Sequence, residues 1–324
     1  MRAIAFKETG GPGVLRPVEL PDPEPGPGEV LIRVAYAGVN YGEVQHRLGD
    51  FGEPEGETVT GLEAAGNVAA VGPEVSGFAI GDEVAAYLPA GGGYAQYVVA
   101  PAAFVFPAAG LDLRTAGAAP LVLTTAYGVL AGAARIGAGD TVLVHAAAGG
   151  VGSVAAQLAR ELGAARVYGT VGTPEKAEYA RRFGYDAVFP REDFPGAVRE
   201  ATAGRGVDVL LDPVGGPTRL AGFEVLAPFG RTVVYGEAGR HPDLELPVLP
   251  LWKNNRALTG YNIGDLARRA PETLRAHARA ALDLAAAGRV RVEVSAEYAL
   301  ADAPLAHELL EAGRSRGKSV LRVR

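Results

Sequence analysis

Apolar and polar positions alternate in short runs through the first third of the chain. MRAIAFK, LIRVAYAGV, NVAAVG, DEVAAYL and YAQYVVA read as strands separated by Gly and Pro. PDPEPGPG, Pro21 to Gly28, is a rigid loop rather than a linker. From Leu111 the pattern turns to alanine-rich helix, including PLVLTTAYGVLAGAARI. Strands then recur: TVLVHA, RVYGTV, DAVF, VDVLLD, RTVVYG and ALTGYN, with PEKAEYARRFG and GPTRLAGFEVLA among the helical segments between them. Six strands with crossover helices predict an α/β fold with a doubly wound, parallel six-stranded sheet behind a β-rich first part. The tail predicts a helix from Ala270 to Gly288, a strand (VRVEVSAEYAL), a helix from Ala301 to Gly313 and a last strand (SVLRV).

Composition narrows the chemistry. The 324 residues allow two domains of ordinary size, with 48% hydrophobic residues for their cores. A net charge of −6 without a basic stripe argues against nucleic acid as a partner. No apolar run is long enough to span a membrane, and the start reads as a strand rather than a signal peptide. With no cysteine, disulfides, thiol catalysis and cysteine-ligated zinc are excluded, and no metal site is expected. A cytoplasmic protein is the expectation.

The segment with most chemical content is TVLVHAAAGGVGSVAAQLARELGA, Thr141 to Ala164: strand, glycine turn, amphipathic helix. Such a turn lets backbone approach a pyrophosphate, and the helix offers free N–H groups and a positive dipole end. Set on G-x-G-x-x-G, the three positions read Ala147, Gly149 and Gly152, with alanine first. The strand before and helix after supply the context that the pattern alone lacks. An NAD site places an acid about 20 residues beyond the last glycine. Here Val171 and Gly172 stand there, and Glu175 and Lys176 are the next ionisable residues. The missing acid favours NADPH, with Lys176 placed to reach a 2′-phosphate; the plain alternative is a solvated helix lysine.

With these pieces in order, the whole chain resembles the medium-chain dehydrogenase/reductase superfamily, in its zinc-free quinone oxidoreductase branch (zeta-crystallin-like). PGPGEVLIRVAYAGVN, GLEAAGNVAAVGPEVSGFAIGDEV, GGYAQYVVAP, LTTAYGVL, HAAAGGVG and GTVGTPEKAEYARRFG carry the resemblance. It implies a GroES-like catalytic domain over residues 1–117, a Rossmann NADP-binding domain over 118–262, and a segment 263–324 that returns to the catalytic domain. It also implies NADPH in the cleft and a homodimer joined through the last sheet strands, near ALTGYN. The zinc-ligand positions of related alcohol dehydrogenases carry Asn40, Leu62–Glu63 and, near the later cysteine, Pro120.

Hydride delivery from NADPH to a quinone or an α,β-unsaturated carbonyl is the expected reaction. By resemblance, Asn40 and Thr125 lie beside the nicotinamide, with Tyr41 as a further catalytic candidate. Gly149, Gly150 and Val151 face the pyrophosphate, and Gly172 and Lys176 the 2′-phosphate. Gly236 and Glu237 meet the carboxamide through backbone groups, and Ser315 and Lys318 approach the adenosine phosphate. Each has a bland alternative: Asn40 closing a turn, Thr125 bonding back to its own helix, Ser315 and Lys318 in a solvated tail. His145 is expected to be a packed structural histidine, and Glu63 is read equally as a satisfied carboxylate or a site residue. Glu43 replaces the Asp that usually follows this Asn in the branch, while Gln45 and Phe51 stand where tyrosines are common. The aromatic usual near the adenosine phosphate falls on Pro190, with Arg191 following as a candidate phosphate partner. Trp252 and Tyr261 line either the substrate slot or the dimer interface. Two other activities compete with quinone reduction: reduction of an enoyl or 2-alkenal double bond on the same scaffold, and non-catalytic NADPH binding.

Overall fold

The computed structural model describes residues 1–108 and 110–324. The chain divides into two compact units. One comprises Met1–Val122, Arg269–Gly288 and Val292–Arg324; the other comprises Leu123–Arg268 and Arg289–Arg291. The breaks fall a few residues beyond those expected at 117 and 262. Leu121 N–H donates to the buried Glu63 carboxylate at 2.8 Å, which holds the segment after residue 117 to the first unit.

The first unit is built on a seven-stranded sheet. Its long central strand, Glu29–Val39, pairs antiparallel with Glu63–Val71, with Tyr97–Pro101 and with the C-terminal strand Lys318–Arg322. Ser319 opposes Val39 and Leu321 opposes Ala37, so residues near the end of the chain stand beside Asn40. Ile32, Val34, Val68, Val84 and Leu321 fill one buried core with Ile4 and Phe6 from a smaller three-stranded sheet.

The second unit holds the six parallel strands expected. Their order across the sheet is Ala187–Pro190, Arg166–Val171, Thr141–Val144, Val207–Asp212, Leu226–Val234 and Ala257–Gly260. This is the doubly wound order, in which the direction of winding reverses between Thr141–Val144 and Val207–Asp212. Val142, Leu143, Val144, Leu210 and Leu211 are fully buried, which is why these strands read as apolar runs rather than alternations. Leu143, Val207 and Leu210 pack with Phe194 and Val198 of the helix Phe194–Ala201.

Four boundaries differ from expectation. The helix starting at Pro120 ends at Tyr127 and continues as a π-helical stretch over Gly128–Ala134. The helix beginning at Gly216 stops at Glu224, because Leu226 already belongs to the next strand. The tail strand starts only at Val294, and its last helix only at Ala303.

Candidate active site

The glycine turn leaves the Thr141–Val144 strand at the winding reversal and enters the helix Gly150–Glu161. Gly149 is the N-cap and has no side chain to cap the first N–H groups, which keeps them available to an anion. A Cβ on Gly152 would stand 2.4 Å from Ala146 O and 2.8 Å from Ala147 Cα. Only glycine allows the helix to start this close to the turn. His145 ends the strand fully buried, with Nδ1 2.8 Å from Thr170 Oγ1 and its ring edge-on to Phe194. Burial pushes its pKa down to about 4, so it stays neutral and packed.

At the end of the neighbouring Arg166–Val171 strand, Gly172 is exposed and the Arg191 guanidinium lies over it, 3.5 Å from where a Cβ would stand. Lys176 follows in the first turn of the helix Pro174–Arg181. Its ammonium is depressed below the ordinary lysine range by partial burial and then by the positive Arg191 nearby. Arg191 lies over the exposed glycine and near enough to Lys176 to depress it, and two neighbouring cations are suited to a phosphate. Arg191 thus joins Gly172 and Lys176 here, while Pro190 ends the next strand.

Farther along the sheet, Thr125 is buried in the helix Pro120–Tyr127, and its Oγ1 has no hydrogen-bond partner. The bond back to its own helix, one reading of the sequence, is therefore not made. Beyond the Leu226–Val234 strand, Gly236 O accepts from Arg219 at 3.1 Å and Glu237 O from Arg240 N at 3.0 Å. The side chain of Glu237 also pairs with Arg219, at 2.8 Å. Arg219 in turn donates to the fully buried Asp212 at 2.6 Å. The sequence reading missed this triad, because Asp212, Arg219 and Glu237 lie on three different segments. Tyr261 is buried against Gly128 with its hydroxyl toward Thr124 O, so it is a core residue, whereas Trp252 is exposed.

In the first unit, Asn40, Glu43, Glu63 and Lys318 form one buried network. Asn40 caps the helix Tyr41–Arg47, and Glu43 closes the capping box by accepting from Asn40 N at 2.7 Å. Asn40 Nδ2 donates to Glu43 at 3.2 Å and to Glu63 at 3.0 Å. Lys318 Nζ donates to Val39 O at 2.9 Å and to Asn40 Oδ1, and pairs with Glu63 at 2.7 Å. Burial pushes Glu43 up to about 7, against the pull of Lys318 and of its N–H donors.

This geometry corrects two expectations. Lys318 is neither a phosphate ligand nor part of a solvated tail: its side chain is 3% exposed and committed to this network. Asn40 has spent both amide N–H groups, and its Oδ1 accepts from Lys318 Nζ and, in the capping box, from Glu43 N, so its side chain is committed to this network. Glu63 is a satisfied carboxylate. Tyr41 sits half-buried in the first turn of its helix, Gln45 bonds Asp50 at 3.3 Å, Phe51 is exposed, and Ser315 is half-buried apart from these clusters.

Residues 26–110 match the family described as alcohol dehydrogenase GroES-like domain, and residues 150–282 that described as zinc-binding dehydrogenase. A quinone oxidoreductase of Pseudomonas aeruginosa is 37% identical over 99% of both chains. A 2-haloacrylate reductase of a Burkholderia species is 40% identical over 74% of this chain and 73% of its own. The crystal structure of Escherichia coli quinone oxidoreductase complexed with NADPH superposes with a TM-score of 0.90 at 31% identity, covering all of both chains. The glycine turn, the doubly wound sheet and the GroES-like sheet domain agree with these likenesses, and the chain belongs to the medium-chain dehydrogenase/reductase superfamily, in its quinone oxidoreductase branch.

Proposed function

We infer that this chain is an NADPH-dependent oxidoreductase that delivers hydride to a quinone. The observation that carries the reading is the Arg191 guanidinium over Gly172 with Lys176 as its neighbouring cation, at the strand end where an NAD site would hold an acid. NADPH supplies the hydride; the protein binds and orients it and keeps water from the transfer. Gly149, Gly150 and Val151 hold the pyrophosphate. Gly172, Lys176 and Arg191 hold the 2′-phosphate, and Thr125 gives its unpaired hydroxyl to the nicotinamide half. From the first unit, the family resemblance assigns Asn40, fixed by Lys318 and the two carboxylates, to the nicotinamide, and we assign Tyr41 to the acceptor carbonyl.

Zinc does not fit the residues present. Asn40, Glu63 and Leu62 bring neither thiolate nor imidazole, and the Lys318 ammonium already neutralises the carboxylate that a metal would need. Hydride transfer therefore rests on orientation and hydrogen bonding alone.

The same geometry also suits reduction of an activated carbon–carbon double bond, and the 2-haloacrylate reductase relative favours keeping that second reading. A homodimer is the expected assembly. The Ala257–Gly260 strand ends the sheet with its outer edge unpaired among the described residues. Leu258 on it, Val248, Leu249 and Trp252 shortly before it in sequence, and Phe229 on the strand it pairs with are exposed apolar side chains, as an interface would require. No helix among the described residues is long and apolar enough to cross a membrane; we take the protein to act in the cytoplasm.

Single-turnover mixing tests the reading. Protein preloaded with NADPH should lose the reduced-nicotinamide absorbance when 9,10-phenanthrenequinone is added. Tight NADPH binding with no bleaching by any quinone would overturn it.

A further inference from the structure

Glu237 carries an acceptor that the fold leaves unsatisfied. Its Oε2 pairs with Arg219 at 2.8 Å, while its Oε1 is shielded from solvent and has no hydrogen-bond partner. The guanidinium that pins it is itself nearly buried and faces the fully buried Asp212 on its other side. One cation stands between two carboxylates, and although the Glu237 side chain is 35% exposed, its shielded Oε1 is an acceptor that is costly to leave without a donor. Space is kept for that carboxylate by Gly215. A Cβ there would fall 1.5 Å from Glu237 Oε1, and the φ of +83° suits glycine in any case.

The position is one where ligands bind. Gly215 follows the Val207–Asp212 strand and Glu237 follows Leu226–Val234, so both lie at the carboxyl ends of parallel strands. Dinucleotides cross that edge, with their second nucleoside on this half of the sheet. Tyr261 N donates to Val234 O at 2.9 Å and its hydroxyl faces Thr124 O, which ties the Thr124–Thr125 turn to the same strand end. The carbonyls of Gly236 and Glu237 each already accept one hydrogen bond, whereas the side-chain Oε1 of Glu237 accepts none.

We propose that Glu237 Oε1, held in place by Arg219 and Asp212, accepts the carboxamide N–H of the nicotinamide and so sets the ring's orientation. The assignment rests on the cofactor reading above and changes it in one respect: recognition runs through a charged side chain rather than the backbone. A carboxylate acceptor demands an N–H donor, which distinguishes a carboxamide from an isosteric ketone.

Calorimetric titration of the full chain with NADPH and with the reduced 3-acetylpyridine analogue of NADPH tests it. The analogue keeps the carbonyl and lacks the N–H. Wild type should bind NADPH about tenfold to a hundredfold more tightly than the analogue, as expected for one hydrogen bond to a charged group. Glu237→Gln keeps an oxygen for Arg219 but turns an N–H toward the ligand. It should weaken NADPH by that factor and leave the analogue nearly unchanged, with the melting temperature of the free protein close to wild type. Equal affinity of wild type for both nucleotides would overturn the proposal even if the variant did not fold. Equal discrimination in wild type and variant would also overturn it while leaving the cofactor reading intact. Failure of wild type to bind NADPH at all would overturn that reading and this assignment together.

Discussion

Replacing Lys318 by Met removes the one cation from a buried cluster that holds two carboxylates. In the folded chain Lys318 lies 2.7 Å from Glu63, with the two side chains 3% and 0% exposed. It also donates to Val39 O at 2.9 Å and to Asn40 Oδ1. Methionine fills the space of the lysine stem but leaves Glu63 with only the Asn40 and Leu121 N–H groups. Breaking a buried pair from one side costs about 3–5 kcal/mol, and uptake of a proton or water by the stranded carboxylate limits the loss. Lys318→Met is therefore expected to lose about that much stability in urea unfolding followed by circular dichroism, with an unchanged slope. The double variant Lys318→Met/Glu63→Gln should regain a large part of it. Once the ammonium is gone, the Asn40 amide is free to turn and offer Oδ1 to the N–H groups of the introduced glutamine. A single variant within about 1 kcal/mol of wild type, or a double variant less stable than the single, would refute the view that this pair holds the cluster together.

Other predictions follow from the second unit. Lys176→Ala should weaken NADPH by about 1.5–3 kcal/mol, tenfold to about a hundredfold, and NADH hardly at all; titration with both nucleotides checks this, and equal losses would remove Lys176 from the phosphate site. His145 is held neutral in the folded chain, with its pKa lowered from 6.5 to about 4. It takes up a proton on unfolding, so its contribution is full above pH 6.5 and drains away as the pH falls toward 4. The stability difference between wild type and His145→Gln should change by about 3 kcal/mol over that window, in the direction of a less acid-sensitive variant. Leu258→Asp with Trp252→Asp should shift sedimentation from dimer toward monomer without altering the circular dichroism.

Much of the fold was legible because the strands of a parallel sheet are buried on both faces and read as apolar runs. TVLVHA, VDVLLD and RTVVYG are such runs, and the glycine turn between the first strand and its helix fixes where the winding begins. The proposed site can be read from the sequence only where its parts lie on one segment, as with Gly149 to Gly152 and with Gly172 to Lys176. Lys318 cannot, since in sequence it sits in a basic, Gly-containing tail that looks solvated. Only the pairing of Ser319 with Val39 carries it beside Asn40 and into a buried network. Glu43 gave a partial signal, standing three residues after Asn40 as a capping box requires. Arg219 gave none, because a helix arginine becomes a buried partner of Asp212 and Glu237 only after two strand ends are brought together.

The most direct test of the central claim is kcat/KM for oxidation of reduced nicotinamide by 9,10-phenanthrenequinone and by a 2-alkenal, each with NADPH and with NADH. Quinone with NADPH is expected to give the highest value, at least about tenfold above quinone with NADH, as loss of a single charged hydrogen bond to the 2′-phosphate requires. Turnover confined to the 2-alkenal, or equal rates with both nucleotides, would contradict it.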